Sequence, residues 1–469
     1  MRRGKKYSLW TAGLLGGLLI LLLVILLLLP HLISLEPMRK KIETAISQQI
    51  GKQVKFQKVD LSFLPRPRVI IYQLRVSIPE KGTVALEKLT IAPQITPLLR
   101  GQVRISLVKA ESPTLTLELA GEPPEKPKSV FFSPAIIQEE LAPLMKLMQS
   151  KVPRLTIEVK KGRLSLLRKK QPVFWFQDIQ GRITLPPDRL QADLTCKSNL
   201  WGNMSLAARL SSKDLNGSVN IRVTDIHPQL LLNYLVPATF PSLEGSQGNL
   251  EISLQVERGK AFRGKTQGSL SSLTLQRGEK RGSVTGLTIN GAFQLQEDKA
   301  TISLAELSLQ NPRLKLSGEL NVDLAAPLFR LELTCREMDV MPMREIAMGL
   351  AGETKPVRTI FGMLRGGEIP YISFKTKGPS LADLGDLKNI SIQGEMVGGR
   401  VFLPGALTKL KGIDFDLRDV QGQVNFSRGI LEGKNLAVQW EKSRVSKGLV
   451  KLGLGGENAP FHLEATADV

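Results

Sequence analysis

Aromatic side chains are scarce in this chain of 469 residues, at 5%. That argues against a site built from stacked rings and favours a surface lined by flexible aliphatic chains, because Leu, Val and Ile recur throughout. Histidine is scarcer still. His31, His227 and His462 are the whole set, and none pairs with another His or a Cys at metal-ligand spacing. The two cysteines, Cys196 and Cys335, each fall in phase with an alternating apolar run. They read as small buried hydrophobes, with a long-range disulfide left open, and say little about redox compartment. No Ser-His-Asp arrangement and no strand–glycine loop–helix phosphate motif emerges. Asp414/Asp416 and Glu306/Glu319 read as wet faces of strands or turns, and Gly366-Gly367 and Gly398-Gly399 as turn glycines. The expectation is a protein that is not an enzyme, with no cofactor and no metal. Acid is also in deficit: 64 basic residues against 43 acidic give +21, which suits an anionic partner, nucleic acid or a membrane surface.

Long apolar runs are confined to the N-terminus. Arg2, Arg3, Lys5 and Lys6 in segment 1–8 precede an uncharged stretch. Residues 9–29 contain Leu14, Leu15, Leu18, Leu19, Ile20, Leu21, Leu22, Leu23, Val24, Ile25, Leu26, Leu27, Leu28 and Leu29. As a helix, about 21 such residues span roughly 31 Å, the thickness of a hydrocarbon core. A cleaved signal peptide is the rival reading, but its apolar core is normally about 7–15 residues. Pro30 to Leu35 also lacks a small-residue cleavage site. A single-pass anchor follows, with the N-terminus cytoplasmic by the positive-inside rule and the bulk of the chain across the membrane.

Beyond the anchor, 36–50 reads as an amphipathic helix, and the period then changes to two. Leu115, Leu117 and Leu119 alternate with polar residues, as do Leu155, Ile157 and Val159, and Leu250, Ile252, Leu254 and Val256. Ile302 and Leu304, then Ile413, Phe415 and Leu417, continue the pattern. Such alternation predicts antiparallel strands with one apolar and one wet face. Gly-containing turns are expected at Lys161-Gly162, Arg258-Gly259, Arg277-Gly278 and Arg428-Gly429. The organisation expected is a leading helix and β region over 36–120, a linker and helix over 121–150, and repetitive β structure over 151–469. Short helices are expected near 227–235, 343–350 and 357–364. Roughly 25 strands at about 4.8 Å spacing leave one apolar face that these helices cannot cover. The sheet must close into a barrel, pack as a sandwich, or curl around something apolar.

Residues 30–120 resemble the N-terminal region of the AsmA-like family, bacterial envelope proteins related to TamB. The features that match are Ile50-Gly51-Lys52-Gln53-Val54, then Ser62-Phe63-Leu64-Pro65-Arg66-Pro67, then Thr96-Pro97-Leu98-Leu99-Arg100-Gly101, and finally Ser112-Pro113-Thr114-Leu115. The resemblance implies a mostly β fold: a transmembrane helix followed by a long antiparallel sheet curled into a taco-like groove. It also implies that the fifteen alternating residues named above line a track for phospholipid. The anchor would sit in the bacterial inner membrane and the bulk in the periplasm. Lipid would move toward the outer membrane, supporting its biogenesis, with envelope proteins there as partners. The alternative is a non-enzymatic scaffold or assembly factor for outer-membrane proteins. The chain stops in alternating phase at Phe461 to Thr466, as a shorter or truncated member would. Export and the lack of interleaved aromatics set nucleic acid aside. Arg163, Arg168, Lys169 and Lys170 read either as a solvated rim or as contacts to headgroups at a groove mouth.

Overall fold

The computed structural model describes residues 54–119, 154–230, 242–405, 414–453 and 461–468, apart from a few positions within those spans. The anchor over 9–29, the expected helix over 36–50, the linker and helix over 121–150, most of the helix near 227–235, and Ile413 lie outside the described residues. Among the described residues, no helix is long and apolar enough to cross a membrane. The chain divides into two compact units, the first holding most residues up to Lys213 and the second most from Asp214 onward.

In the first unit, β1 (Val54–Lys55) and β2 (Lys58–Ser62) both pair with β3 (Arg68–Ile78), which pairs with β4 (Gly82–Pro93). After α1 (Ile95–Leu99) come β5 (Ile105–Glu111) and β6 (Thr114–Glu118). These two are one strand kinked at Ser112-Pro113, since Lys88 opposes Glu111 and Ala85 opposes Thr114 in a single register. Next are β7 (Leu155–Arg168), β8 (Gln171–Leu185), β9 (Arg189–Ser198) and β10 (Trp201–Ser211). The pairing of β5 and β6 with β7 is parallel, an exception to the antiparallel expectation. A parallel pair needs a crossover of a dozen or more residues, and the chain between Leu119 and Arg154 supplies that length.

The second unit is antiparallel throughout. Its strands are β11 (Gly217–Ile226), β12 (Ser242–Glu244), β13 (Gly248–Glu257), β14 (Ala261–Arg277), β15 (Lys280–Gln296), β16 (Lys299–Leu309), β17 (Leu314–Asp323) and β18 (Leu328–Asp339). Helices α2 (Val340–Ala351) and α3 (Lys355–Met363) interrupt the meander. It resumes with β19 (Leu364–Gly378), β20 (Ser391–Leu403), β21 (Phe415–Ser427), β22 (Ile430–Trp440), β23 (Ser443–Gly453) and β24 (Phe461–Asp468). Each strand from β13 onward pairs with the next, and β11 pairs with β13. Among the described residues no pairing returns β24 to β11, so this sheet is open rather than a closed barrel.

Several expected turns are instead irregularities inside strands. Lys161-Gly162 lies within β7, Gly366-Gly367 within β19 and Gly398-Gly399 within β20. Each marks a shift of register, with Lys161, Gly367 and Gly398 at positive φ. A β-bulge inserts one residue and bends its strand. It also moves the following alternation by one position, so the apolar residues stay on one face. In β7 they run Leu155, Ile157, Val159, then Gly162, Leu164, Leu166. A Cβ on Gly162 would lie 3.1 Å from Val159 Cγ1, which places both on the same side. Arg428-Gly429, by contrast, is a two-residue hairpin with both residues at positive φ, as a turn of that length requires.

Candidate functional site

In the second unit, successive pairings connect residues into rows that cross the sheet. One row runs Val223, Leu250, Gly268, Ile289, Leu307, Leu316, Cys335, Ile372, Gly394, Val424, Gly433, Val450. The next on the same face runs Ile221, Ile252, Thr266, Gly291, Leu304, Gly318, Leu333, Phe374, Ile392, Phe426, Leu431, Leu452. A third holds Val219, Leu254, Gly264, Phe293, Ile302, Leu320 and Leu331. Between the first two, on the opposite face, the register aligns Ser317, Thr334, Ser373, Gln393, Asn425, Glu432 and Lys451. Thr266 is the single polar residue of the two long rows. At about 4.8 Å per pairing these rows follow the sheet for roughly 50 Å.

The glycines in the rows are floor positions. A Cβ on Gly264 would fall 2.1 Å from Phe293, and one on Gly318 2.8 Å from Leu333 Cδ2. The neighbouring apolar side chain therefore lies over each glycine and fills the place its side chain would take.

Two ends of this face are covered. At one, Leu384 packs on Val322 and Phe329, held where the Thr376 hydroxyl donates to Leu384 O at 3.0 Å. At the other, Val340 at the start of α2 is fully buried with Ile369, Met396, Val420 and Val438. Asp339 caps α2 by accepting from Met341 N at 3.3 Å, and Arg344 Nε donates to Phe361 O at 2.7 Å, tying α2 to α3. Between these covers, Leu254, Phe293, Leu333 and Phe374 are only half-buried, and Ile302 is 52% exposed.

The opposite face carries charge in exposed cross-strand pairs. Arg222 meets Glu251 at 3.1 Å, Lys315 meets Glu337 at 2.8 Å, and Lys451 meets Glu432 at 3.0 Å. Hydrogen bonds from Lys451 and Lys434 hold the Glu432 carboxyl below its ordinary range. Exposed pairs of this kind contribute little stability; they set which face is wet.

The expected lining residues divide by unit. Leu250, Ile252, Leu254, Ile302 and Leu304 fall in the rows. Val256 lies on the same face toward the Leu384 cover, opposite Phe262. Leu417 packs into the cluster around Val340 and so belongs to the covered end, and the Phe415 ring sits 5.2 Å from Trp440. In the first unit, Ile157 joins the row Val69, Ile91, Val108, Ile157, Ile183, Ala192. Val159 joins Ile71, Leu89 and Ala110. Leu115 stands between Val84 and Leu164, and Leu117 between Gly82 and Leu166. Leu155 opposes Leu185, and Leu119 follows β6, its N–H donating to Leu167 O at 2.7 Å. Phe293, Leu320, Leu333, Phe374 and the row glycines were missed as lining residues. Alternation marks such residues as apolar, but only the strand register aligns them with one another.

Residues 1–126 match the model of the AsmA family. The first 126 residues are AsmA-like. No curated protein and no solved structure matches the chain. Within the described part of the AsmA-like region, Thr96-Pro97-Leu98-Leu99 forms most of α1, and Ser112-Pro113 is the kink that lets one strand serve as β5 and β6.

Proposed function

We propose that this protein carries phospholipid along its apolar sheet face, as a bridge-like lipid transfer protein of the bacterial envelope. One observation carries the reading: two rows of twelve apolar or small residues, broken only by Thr266, cross the second unit's sheet, and most of their side chains, Ile252, Ile289, Leu304, Leu307, Leu333 and Phe374 among them, are only half-buried. Burial of acyl CH₂ groups on such a surface gains about 0.8 kcal/mol each without directional contacts. Movement along the rows then exchanges one set of aliphatic neighbours for an equivalent set. The AsmA-like start and the apolar stretch over 9–29 support an inner-membrane anchor, a periplasmic bulk and delivery toward the outer membrane. Function as a scaffold for outer-membrane protein assembly is the competing reading.

Site-specific photocrosslinking in cells tests the proposal, with the probe at Leu254 and, on the polar face, at Ser253. Phosphorus-labelled lipid captured at Leu254 and absent at Ser253 is the expected result. Capture at neither position, from folded protein, removes the lipid track and leaves the scaffold reading.

A further inference from the structure

The first unit has a polar concavity. Left-handed residues recur at neighbouring points of its sheet: Gln73 in β3, Ser112 at the β5–β6 kink, Lys161 in β7 and Asp178 in β8. All four border one concavity of about 370 Å³, placed where these irregularities bend successive strands.

Its floor is defined by register. Arg75 opposes Ala85, Ala85 opposes Thr114, and Thr114 lies beside Arg163. Two arginines thus stand about three strand spacings, or roughly 14 Å, apart, with only a methyl and a small hydroxyl side chain between them. Both arginines line the concavity over that floor. Lys161 borders the same space. Among the described residues, none of these three cations has a carboxylate at ion-pair distance. Of the two carboxylates that line the concavity, Asp178 is already engaged by Lys197 at 3.8 Å, and Glu87 is the other. Gly162 faces Val159 on the apolar side, so Lys161 and Arg163 beside it project from the opposite face, away from the apolar rows of this unit.

We propose that this concavity binds a phosphate group, held between Arg75 and Arg163 over the Ala85–Thr114 floor. Guanidinium forks match the spacing of phosphate oxygens and donate two bonds each. A tetrahedral, multiply charged anion uses donors arriving from three directions, which a planar carboxylate does not. Soluble phosphate and a lipid headgroup share this chemistry, and neither source depends on the apolar track.

Calorimetric titration of the full chain in detergent micelles tests this with two probes: inorganic pyrophosphate, and dihexanoyl phosphatidic acid, a lipid soluble as a monomer. Pyrophosphate binding is expected to weaken at least tenfold in Arg75→Gln/Arg163→Gln. Ala85→Glu, which puts an acid on the floor and removes no cation, is expected to do the same. The charge-matched Arg428→Gln/Lys447→Gln should stay within twofold of the parent, with circular dichroism melting as the check on folding. A tenfold loss for the lipid probe in the arginine variant as well assigns the site to headgroups; loss for pyrophosphate alone assigns it to soluble phosphate. Absent pyrophosphate binding, or an equal loss in both double variants, overturns the proposal.

Discussion

Replacing Ile302 by Lys separates an open apolar face from a packed one. Burying an isoleucine side chain fully contributes about 1.5–3 kcal/mol. Ile302 is 52% exposed, so it realises about half of that. The lysine stem can lie against Phe293 and Leu320, which oppose position 302 on either side, while its ammonium reaches water. The expected loss is therefore about 1 kcal/mol, or a fall of about 2–4 °C in Tm for a unit of this size. A lysine forced into a dry core instead costs several times more, because its charge is desolvated without a partner. Lipid movement should respond in the opposite proportion. Leu254 and Leu331 lie in the same row on opposite sides of Ile302, and photocrosslinking probes there report lipid before and beyond the block. Capture is expected to persist on one side and fall severalfold on the other, while Ser303→Lys on the wet face changes neither. A Tm loss above 10 °C, or full capture at both probes, refutes the reasoning.

Three other perturbations follow from local geometry. Gly367 sits at φ +106 with its missing Cβ directed 2.5 Å from Gly399 Cα, so Gly367→Ala should destabilise the protein by about 3 kcal/mol. Gly349→Ala, in open space within α2, should instead stabilise by about 1 kcal/mol in the same denaturant titration. Burial pushes the Cys335 thiol up to about 11, so alkylation at pH 8 should be slow in the folded protein and rapid in denaturant, measured by mass shift. Glu432 is held below its ordinary range, first by its bond to Lys451. Its contribution to stability is therefore present above the unfolded carboxylate pKa and lost as pH falls through the lower folded value. Lys451→Gln should move the Glu432 titration upward, read by carbon NMR of labelled glutamate, with little change in Tm at pH 7.

The sequence made individual strands legible, and the structure shows where that legibility stops. Leu250 to Val256 alternates without interruption and is all strand. The helices expected over 343–350 and 357–364 appear as Val340–Ala351 and Lys355–Met363. α2 starts at Val340, earlier than the expected 343, because its N-terminus is set by the Asp339 side chain. What alternation concealed was the bulge. In β7 the apolar phase slips by one between Val159 and Leu164, which reads as a broken pattern around a Lys-Gly turn. The strand in fact continues, with Lys161 taking the left-handed conformation that preserves the face. Gly366-Gly367 and Gly398-Gly399 are the same error, repeated on two paired strands whose glycines allow close backbone approach. The parallel pairing of β5 and β6 with β7 depends on contacts some 50 positions apart, which no local period encodes. For the same reason the lining residues were found strand by strand, but the rows they form were not.

The strongest support for an occupied face comes from comparing parts of the same sheet. Where this chain covers its own apolar residues, burial is nearly complete: Val340 is inaccessible, Ile369 is 6% exposed and Phe329 6%. Those positions show what α2 and the segment around Leu384 achieve when they pack on strands. Between them, residues of the same chemical type, such as Leu254, Phe293, Leu333 and Phe374, remain half-buried, and Ile302 is more exposed than covered. Glycines at Gly264 and Gly318 lower the floor there, and neighbouring side chains lie across them, leaving a smooth aliphatic surface without projecting polar groups. A sheet whose only task was to hold a shape has no use for nearly continuous apolar residues on a face that the described residues leave uncovered. Polar substitution at those half-exposed positions would cost little stability and lower the hazard of aggregation. On the proposed reading their apolar character answers to an acyl chain, which would meet equivalent aliphatic neighbours along every row.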